Sequence, residues 1–252
     1  MVDILGEEDV DLATGSGGPL ELPPSLRLYA HSLRVGSPSA ILEMTVLDGP
    51  LENNVFRVEA GVHSIGRHTS NDVVVPEAGI SRRHCEIMFH DGHGTWCIRD
   101  VGSTTGTFFY LQPHVSLRIF LGLMIKIGES ELQVVRLRSR SADGIAEGIP
   151  ELVCQIYEGS LSGHQVQVGP AGLSIGRRGD NNLVIPSDGT VSAHHARVEW
   201  RDGDFFLSDL GSSNGTAVRI AAEREESEWH PVLDGDIIGA GVSKLLCRFV
   251  DR

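Results

Sequence analysis

The chain repeats itself. His63-Ser64-Ile65-Gly66-Arg67 returns as Leu173-Ser174-Ile175-Gly176-Arg177, and Asn71-Asp72-Val73-Val74-Val75-Pro76 returns as Asn181-Asn182-Leu183-Val184-Ile185-Pro186. Ser81-Arg82-Arg83-His84 is matched by Ser192-Ala193-His194-His195. Asp100-Val101-Gly102-Ser103-Thr104-Thr105-Gly106-Thr107 is matched by Asp209-Leu210-Gly211-Ser212-Ser213-Asn214-Gly215-Thr216. The offset stays between 109 and 111 along the whole series. A constant offset over four separate blocks means duplication of one folding unit. Each copy is long enough to bury a workable core. The spacing divides the chain into a tail over 1–38, a first domain over 39–138, a linker over 139–150 and a second domain over 151–252.

Within each copy the pattern is all-β. Short runs such as ILEMTVL, NVFRV, CEIMF and WCIRDV are rich in β-branched and aromatic residues, and Gly, Pro, Asn and Asp turns separate them. Hairpins are signalled at His90-Asp91-Gly92-His93-Gly94 and at Arg201-Asp202-Gly203-Asp204. The run AAEREESEW at 221–229 holds helix-forming residues inside a β repeat and reads as a solvated loop or a single turn. Many short strands per copy point to a β-sandwich. The Gly, Pro and Ser of LATGSGGPLELPPS suit a mobile tail.

Charge narrows the function classes. The net charge is -13, with 9 Lys+Arg against 11 Asp+Glu over residues 41–138 and 10 against 17 over 139–252. So acidic a chain is poorly suited to nonspecific binding of nucleic acid. Any anionic ligand has to be met by a local basic cluster. No apolar run approaches the ~20 residues that span a bilayer, and the acidic start lacks a secretory h-region. The four Cys are scattered without a CxxC pair, which fits reduced thiols in an intracellular protein and leaves nucleus and cytoplasm undivided. No P-loop, nucleophile elbow, HExxH or zinc spacing is present, so neither enzyme chemistry nor a cofactor or metal is expected. His194 and His195 are not a metal pair, because adjacent strand residues point to opposite faces.

The ordered series Gly-Arg, Ser-x-x-His and Asn-Gly, occurring twice, resembles the forkhead-associated (FHA) domain over about 41–138 and 151–252. The resemblance implies a sandwich of about eleven strands in each half, with ligand loops at one end. It also implies phosphothreonine binding: Arg67 and Arg177 grip phosphate, and Ser81 and Ser192 donate a hydroxyl. Thr104 and Ser213 supply a neighbouring hydroxyl, and Asn214 contacts the peptide backbone. Arg82 adds a second cation in the first copy. His84 and His195 are implied to hold the Ser loop in shape, with Gly66, Gly106, Gly176 and Gly215 shaping the loops. Preference for threonine over serine, through a pocket for the γ-methyl, is likewise implied.

The first copy departs from the pattern at Thr105, where the family has Asn; one hydroxyl does not replace both halves of an amide. The second has Ala193 in place of Arg82, with Arg178 and His194 as partial compensation. The first site is therefore expected to be charge-driven and the second more sequence-selective. Expected partners are threonine-phosphorylated proteins downstream of a Ser/Thr kinase, with no direct nucleic acid and no membrane insertion. Thr14, the sole threonine of the acidic tail, is a candidate phosphosite that would let the tail occupy a site. The competing expectation is a scaffold or dimerisation protein that uses its sandwich surfaces without phosphate.

Overall fold

The computed structural model describes residues 4–5, 41–91, 94–139 and 149–250. Every regular element among them is a strand. After β1 (Ile4–Leu5), the chain forms β2 (Ile41–Asp48), β3 (Val55–Val58), β4 (Val62–Gly66), β5 (Val73–Val74), β6 (Cys85–His90), β7 (Thr95–Asp100) and β8 (Thr107–Tyr110). It continues with β9 (Ser116–Arg118), β10 (Met124–Ile127), β11 (Ser130–Arg138), β12 (Glu151–Ile156), β13 (Gln165–Val168), β14 (Leu173–Gly176), β15 (Leu183–Val184), β16 (Ala196–Arg201), β17 (Asp204–Asp209) and β18 (Thr216–Arg219). Last come β19 (His230–Pro231), β20 (Ile237–Ala240) and β21 (Ser243–Val250).

These strands build two compact units whose borders do not follow the repeat. One unit contains Leu111–Val218; the other contains the described residues of Gly17–Tyr110 together with Arg219–Arg252. In the unit of Leu111–Val218, one sheet runs β13-β12-β11-β10-β18 and the facing sheet runs β15-β14-β16-β17-β9. Strand β1 pairs antiparallel with β13, through Ile4 opposite Val166. In the other unit the sheets run β8-β20-β21-β2-β3 and β5-β4-β6-β7-β19. Within these four sheets the described pairings are antiparallel except β4 with β5 and β14 with β15.

Each sandwich therefore takes its last three strands from the opposite repeat. Strand β2 lies against β21, with Met44 opposite Cys247, while β12 lies against β11, with Val134 opposite Cys154. The sequence-order segments 39–138 and 151–252 are not the compact units. Because the repeats are homologous, the terminal strands of either one fit both sandwiches, and the repeat alone does not say which sandwich they join.

Burial follows the strand period. Strand β2 alternates inward Leu42, Met44 and Val46 with outward residues, and Ile87, Trp96, Leu245 and Cys247 are buried in the same unit. The other core holds Leu132, Val134, Leu152, Cys154, Phe205 and Leu207. All four Cys are free and buried; burial pushes the Cys97 and Cys154 thiols up to about 12. The hairpin at Asp202-Gly203 forms as the sequence suggests, with positive φ at both residues. Residues 221–229 make a turn and a single bridge, Val101 to Glu226, as expected of a loop. No described helix is long and apolar enough to cross a membrane.

Leu42 is fully buried. Truncating it to Ala is expected to cost about 2–5 kcal/mol in denaturant unfolding; a loss well under 1 kcal/mol would show that β2 does not line the core.

Candidate functional site

The site begins where β4 ends. Arg67 follows Gly66, and its backbone N–H donates to Ser81 O at 3.0 Å; the next N–H, of His68, donates to Arg82 O at 3.3 Å. This two-rung ladder sets the Arg loop directly beside the Ser loop. Asn71 locks the pair, because its buried amide donates to His68 O at 2.7 Å and to Arg82 O at 2.6 Å. Gly66 is required by that proximity: a Cβ there would collide with the Arg82 carbonyl oxygen. The second copy repeats the arrangement, with Arg177 N–H to Ser192 O at 2.9 Å and Arg178 N–H to Ala193 O at 3.3 Å. Asn181 donates to Arg178 O and Ala193 O, both at 2.8 Å, and Gly176 packs on the Ala193 carbonyl.

A third loop closes on these two through the histidine. Ser81 N–H donates to His84 Nδ1 at 3.1 Å, so that nitrogen carries no proton, and Nε2–H donates to Gly106 O at 3.0 Å. The neutral Nε2–H imidazole is thus the tautomer that satisfies both contacts. His195 does the same, accepting from Ser192 N–H at 3.0 Å and donating to Gly215 O at 3.1 Å. Both rings are fully buried, and burial holds their pKa values below the ordinary histidine value. Gly106 and Gly215 have φ of 85° and 80°, a conformation that favours glycine.

The third loop has its own anchor. Asp100 Oδ1 accepts from the Gly102 and Ser103 N–H groups at 2.9 and 2.7 Å; Oδ2 accepts from the Ser103 and Thr107 hydroxyls at 2.6 and 2.7 Å. Asp209 receives the same four bonds from Gly211, Ser212 and Thr216. Burial opposes ionisation of Asp209, but these bonds outweigh it and hold the carboxyl below its usual value.

The loop so held delivers Thr104 N–H to Ser81 Oγ at 3.1 Å and Ser213 N–H to Ser192 Oγ at 3.0 Å. Each hydroxyl accepts one bond from the protein and retains its own proton for donation. Thr105 takes over part of the work of Asn214. Asn214 Nδ2 donates to Thr190 O at 2.8 Å, and Thr105 Oγ1 donates to the equivalent Gly79 O at 2.7 Å. The bridge between loops is conserved in the first copy. What Thr105 lacks is a second donor and a carbonyl acceptor to offer a ligand.

Arg67, Arg82, Thr104 and Thr105 are exposed and Ser81 half-buried; Arg177 and Ser213 are exposed, with Ser192 and Asn214 half-buried. Among the described residues the guanidinium groups of Arg67, Arg82 and Arg177 form no ion pair, whereas Arg83 pairs with Glu86. In the second copy Asp180 stands 3.6 Å from Arg178 and 3.7 Å from His194. The position equivalent to Asp180 in the first copy is Ser70, which bonds His68 at 2.8 Å. A carboxylate thus stands beside Arg178 and His194, the two residues that the sequence offers in place of Arg82.

The structure brings Arg67, Ser81, Thr104 and Thr105 onto adjoining loops, and likewise Arg177, Ser192, Ser213 and Asn214. Sequence reasoning assigned no role to Asn71 and Asn181 or to Asp100 and Asp209, although all four stand in the repeated blocks. It also missed Arg219, whose Nη2 reaches Thr104 O at 3.4 Å from the opposite repeat. Thr14 and His93 lie outside the described residues. No described group of three or more His, Cys, Asp or Glu is arranged to hold a metal ion.

With His84 and His195 neutral in the fold and titrating near 6.5 when unfolded, the unfolded chain takes up protons first as pH falls. Their contribution to stability is complete above 6.5 and is lost progressively below it. The contribution of the two rings to unfolding free energy should decline from pH 7 to 5.5, against the opposite trend from Asp236, whose carboxyl burial pushes up to about 6, with the two ring signals in NMR remaining those of neutral imidazole below 6.5. Titration of both rings at or above 6.5 would contradict the clamp.

The sequence matches the FHA domain family over residues 63–128 and 173–241. Among curated proteins, glycogen accumulation regulator GarA of Mycolicibacterium smegmatis is 30% identical over 130 residues, covering 52% of this chain and 74% of that one. The oxoglutarate dehydrogenase inhibitor of Corynebacterium diphtheriae is 28% identical over 137 residues, 52% of this chain and 94% of that one. FHA domain-containing protein FhaB of M. smegmatis is 39% identical over 61 residues, and the match spans only 39% of its length. A solved Arabidopsis thaliana FHA domain aligns at 15% identity and a TM-score of 0.36, over 86% of this chain and 92% of that one. With the family matched across both repeats, and with the motif loops of each drawn together at a sandwich end, this chain belongs to the FHA domain family and carries the domain twice.

Proposed function

We propose that the protein is a non-catalytic reader of phosphothreonine, an adaptor that joins kinase-phosphorylated partners through two sites. The observation that supports this most directly is the bond from Thr104 or Ser213 N–H to the serine oxygen, beside a backbone-clipped arginine that is free of carboxylates. A phosphothreonine carries nearly two negative charges and three strong acceptors. A planar guanidinium and a pre-placed hydroxyl suit such a group, and both lose their partner when the phosphate is absent. Each charge-assisted bond contributes about 1.5–3 kcal/mol, so two or three separate modified from bare peptide by a factor of about a hundred or more.

The two sites differ in their means. Arg67, Arg82 and His68 stand on the adjoining loops of the first and pair with no carboxylate among the described residues, so its binding should weaken more steeply with salt. Asn214 gives the second a carbonyl and a second amide proton for the peptide chain, at the cost of the opposing charge on Asp180.

Titration of labelled phosphothreonine peptides is the test. Arg67→Ala and Arg177→Ala should each remove binding at their own site, by about tenfold to over a hundredfold, in a chain that remains folded. Binding that persists in the double variant would favour a phosphate-independent scaffold. Asp180→Ser should tighten the second site by about 1.5- to 5-fold at low salt and steepen its salt dependence; no change would mean that Asp180 does not act on the ligand.

A further inference from the structure

Each reading loop is held from behind by the repeat to which it does not belong. In the first copy the Ser81 loop starts at Glu77, which is buried. Its Oε1 accepts from Val242 N–H at 2.6 Å and its Oε2 from the Ser243 hydroxyl at 2.7 Å, both in the turn between β20 and β21. Arg219, also from the second repeat, lies against Gly106 and donates to Thr104 O at 3.4 Å. In the second copy the equivalent of Glu77 is Asp188. It accepts from Glu129 N–H at 2.7 Å, in the turn between β10 and β11 of the first repeat. Burial resists the charge on Asp188, yet bonds from Thr190 and Glu129 hold its carboxyl below the usual value. The brace is thus reciprocal.

We propose that the two halves of the chain are interlocked by exchange of their last three strands, and that Ser243 and Arg219 of the second repeat are positioning residues for the first site. The hairpin turn of one repeat then fixes the serine loop of the other, so that each site draws on residues of both repeats. The functional part rests on the phosphothreonine reading; the exchange does not.

The cysteines mark the alternatives. Met44 and Cys154 are equivalent positions, as are Val134 and Cys247. In the exchanged arrangement Met44 faces Cys247, and Cys154 faces Val134. If each repeat closed on its own strands, Cys154 would face Cys247 and Met44 would face Val134.

The test uses the full chain with a protease site placed in the 141–148 segment and the substitution Met44→Cys. After cleavage, the fragments should co-elute at the mass of the uncut chain and separate only in denaturant. Mild oxidation should then join them through residues 44 and 247 on a non-reducing gel. Fragments that part in native buffer, or a Cys154–Cys247 linkage within the C-terminal fragment, would overturn the exchange. Peptide mapping of the oxidised uncut natural sequence checks the same point without the substitution: a Cys154–Cys247 disulfide there also overturns it. Ser243→Ala in the uncut chain then reads the positioning role: first-site affinity should fall about two- to tenfold with the second site unchanged. Loss at the second site instead, or at neither, would overturn that role. If the nicked protein holds together but neither site prefers phosphopeptide, the reading function fails and the exchange stands. If both arginine variants lose binding but the nicked halves part, the reverse is true.

Discussion

A neutral imidazole joining two loops is the contact on which each site depends. His84 takes a hydrogen bond from Ser81 N–H and gives one to Gly106 O, and His195 does the same between Ser192 and Gly215. The ring is buried, so losing either partner would leave a polar atom without water, at a cost of about 1–3 kcal/mol. With the serine loop fixed to the glycine loop, the serine oxygen sits under the N–H of the next loop. With the serine loop fixed to the end of β4 or β14, the arginine is placed beside it. The exposed chemistry is held in place by buried groups that never meet a ligand.

Much of this was legible in the sequence. The strand pattern and the two-residue turn at Asp202-Gly203 stand in short, local blocks, as do Arg67, Ser81, Arg177 and Ser192, the residues expected to meet phosphate. The clamp role of His84 and His195 came through the family resemblance and is matched by the geometry. The effect of Thr105 was only half legible. That one hydroxyl offers a ligand less than an amide follows from the residue type, but its bond to Gly79 O depends on a loop that comes near only in the fold. The nearness of Asp180 to Arg178 and His194 is a distance in the fold, which no spacing rule supplies.

The domain borders were not legible, and the reason is physical. Duplication makes β9–β11 and β19–β21 interchangeable as far as hydrophobic pattern is concerned: Leu132 and Val134 present the same inward face as Leu245 and Cys247. In the fold Glu77 meets Ser243 and Asp188 meets Glu129, contacts between residues far apart in sequence.

The pairing of β2 with β21 also sets an order of events during synthesis. Residues 41–48 emerge early, yet the strand that covers them is Ser243–Val250. At roughly 5–20 residues per second on the ribosome, that edge waits on the order of ten seconds or more for its neighbour. For that interval Leu42, Met44 and Val46 are without the strand that pairs with them in the finished fold.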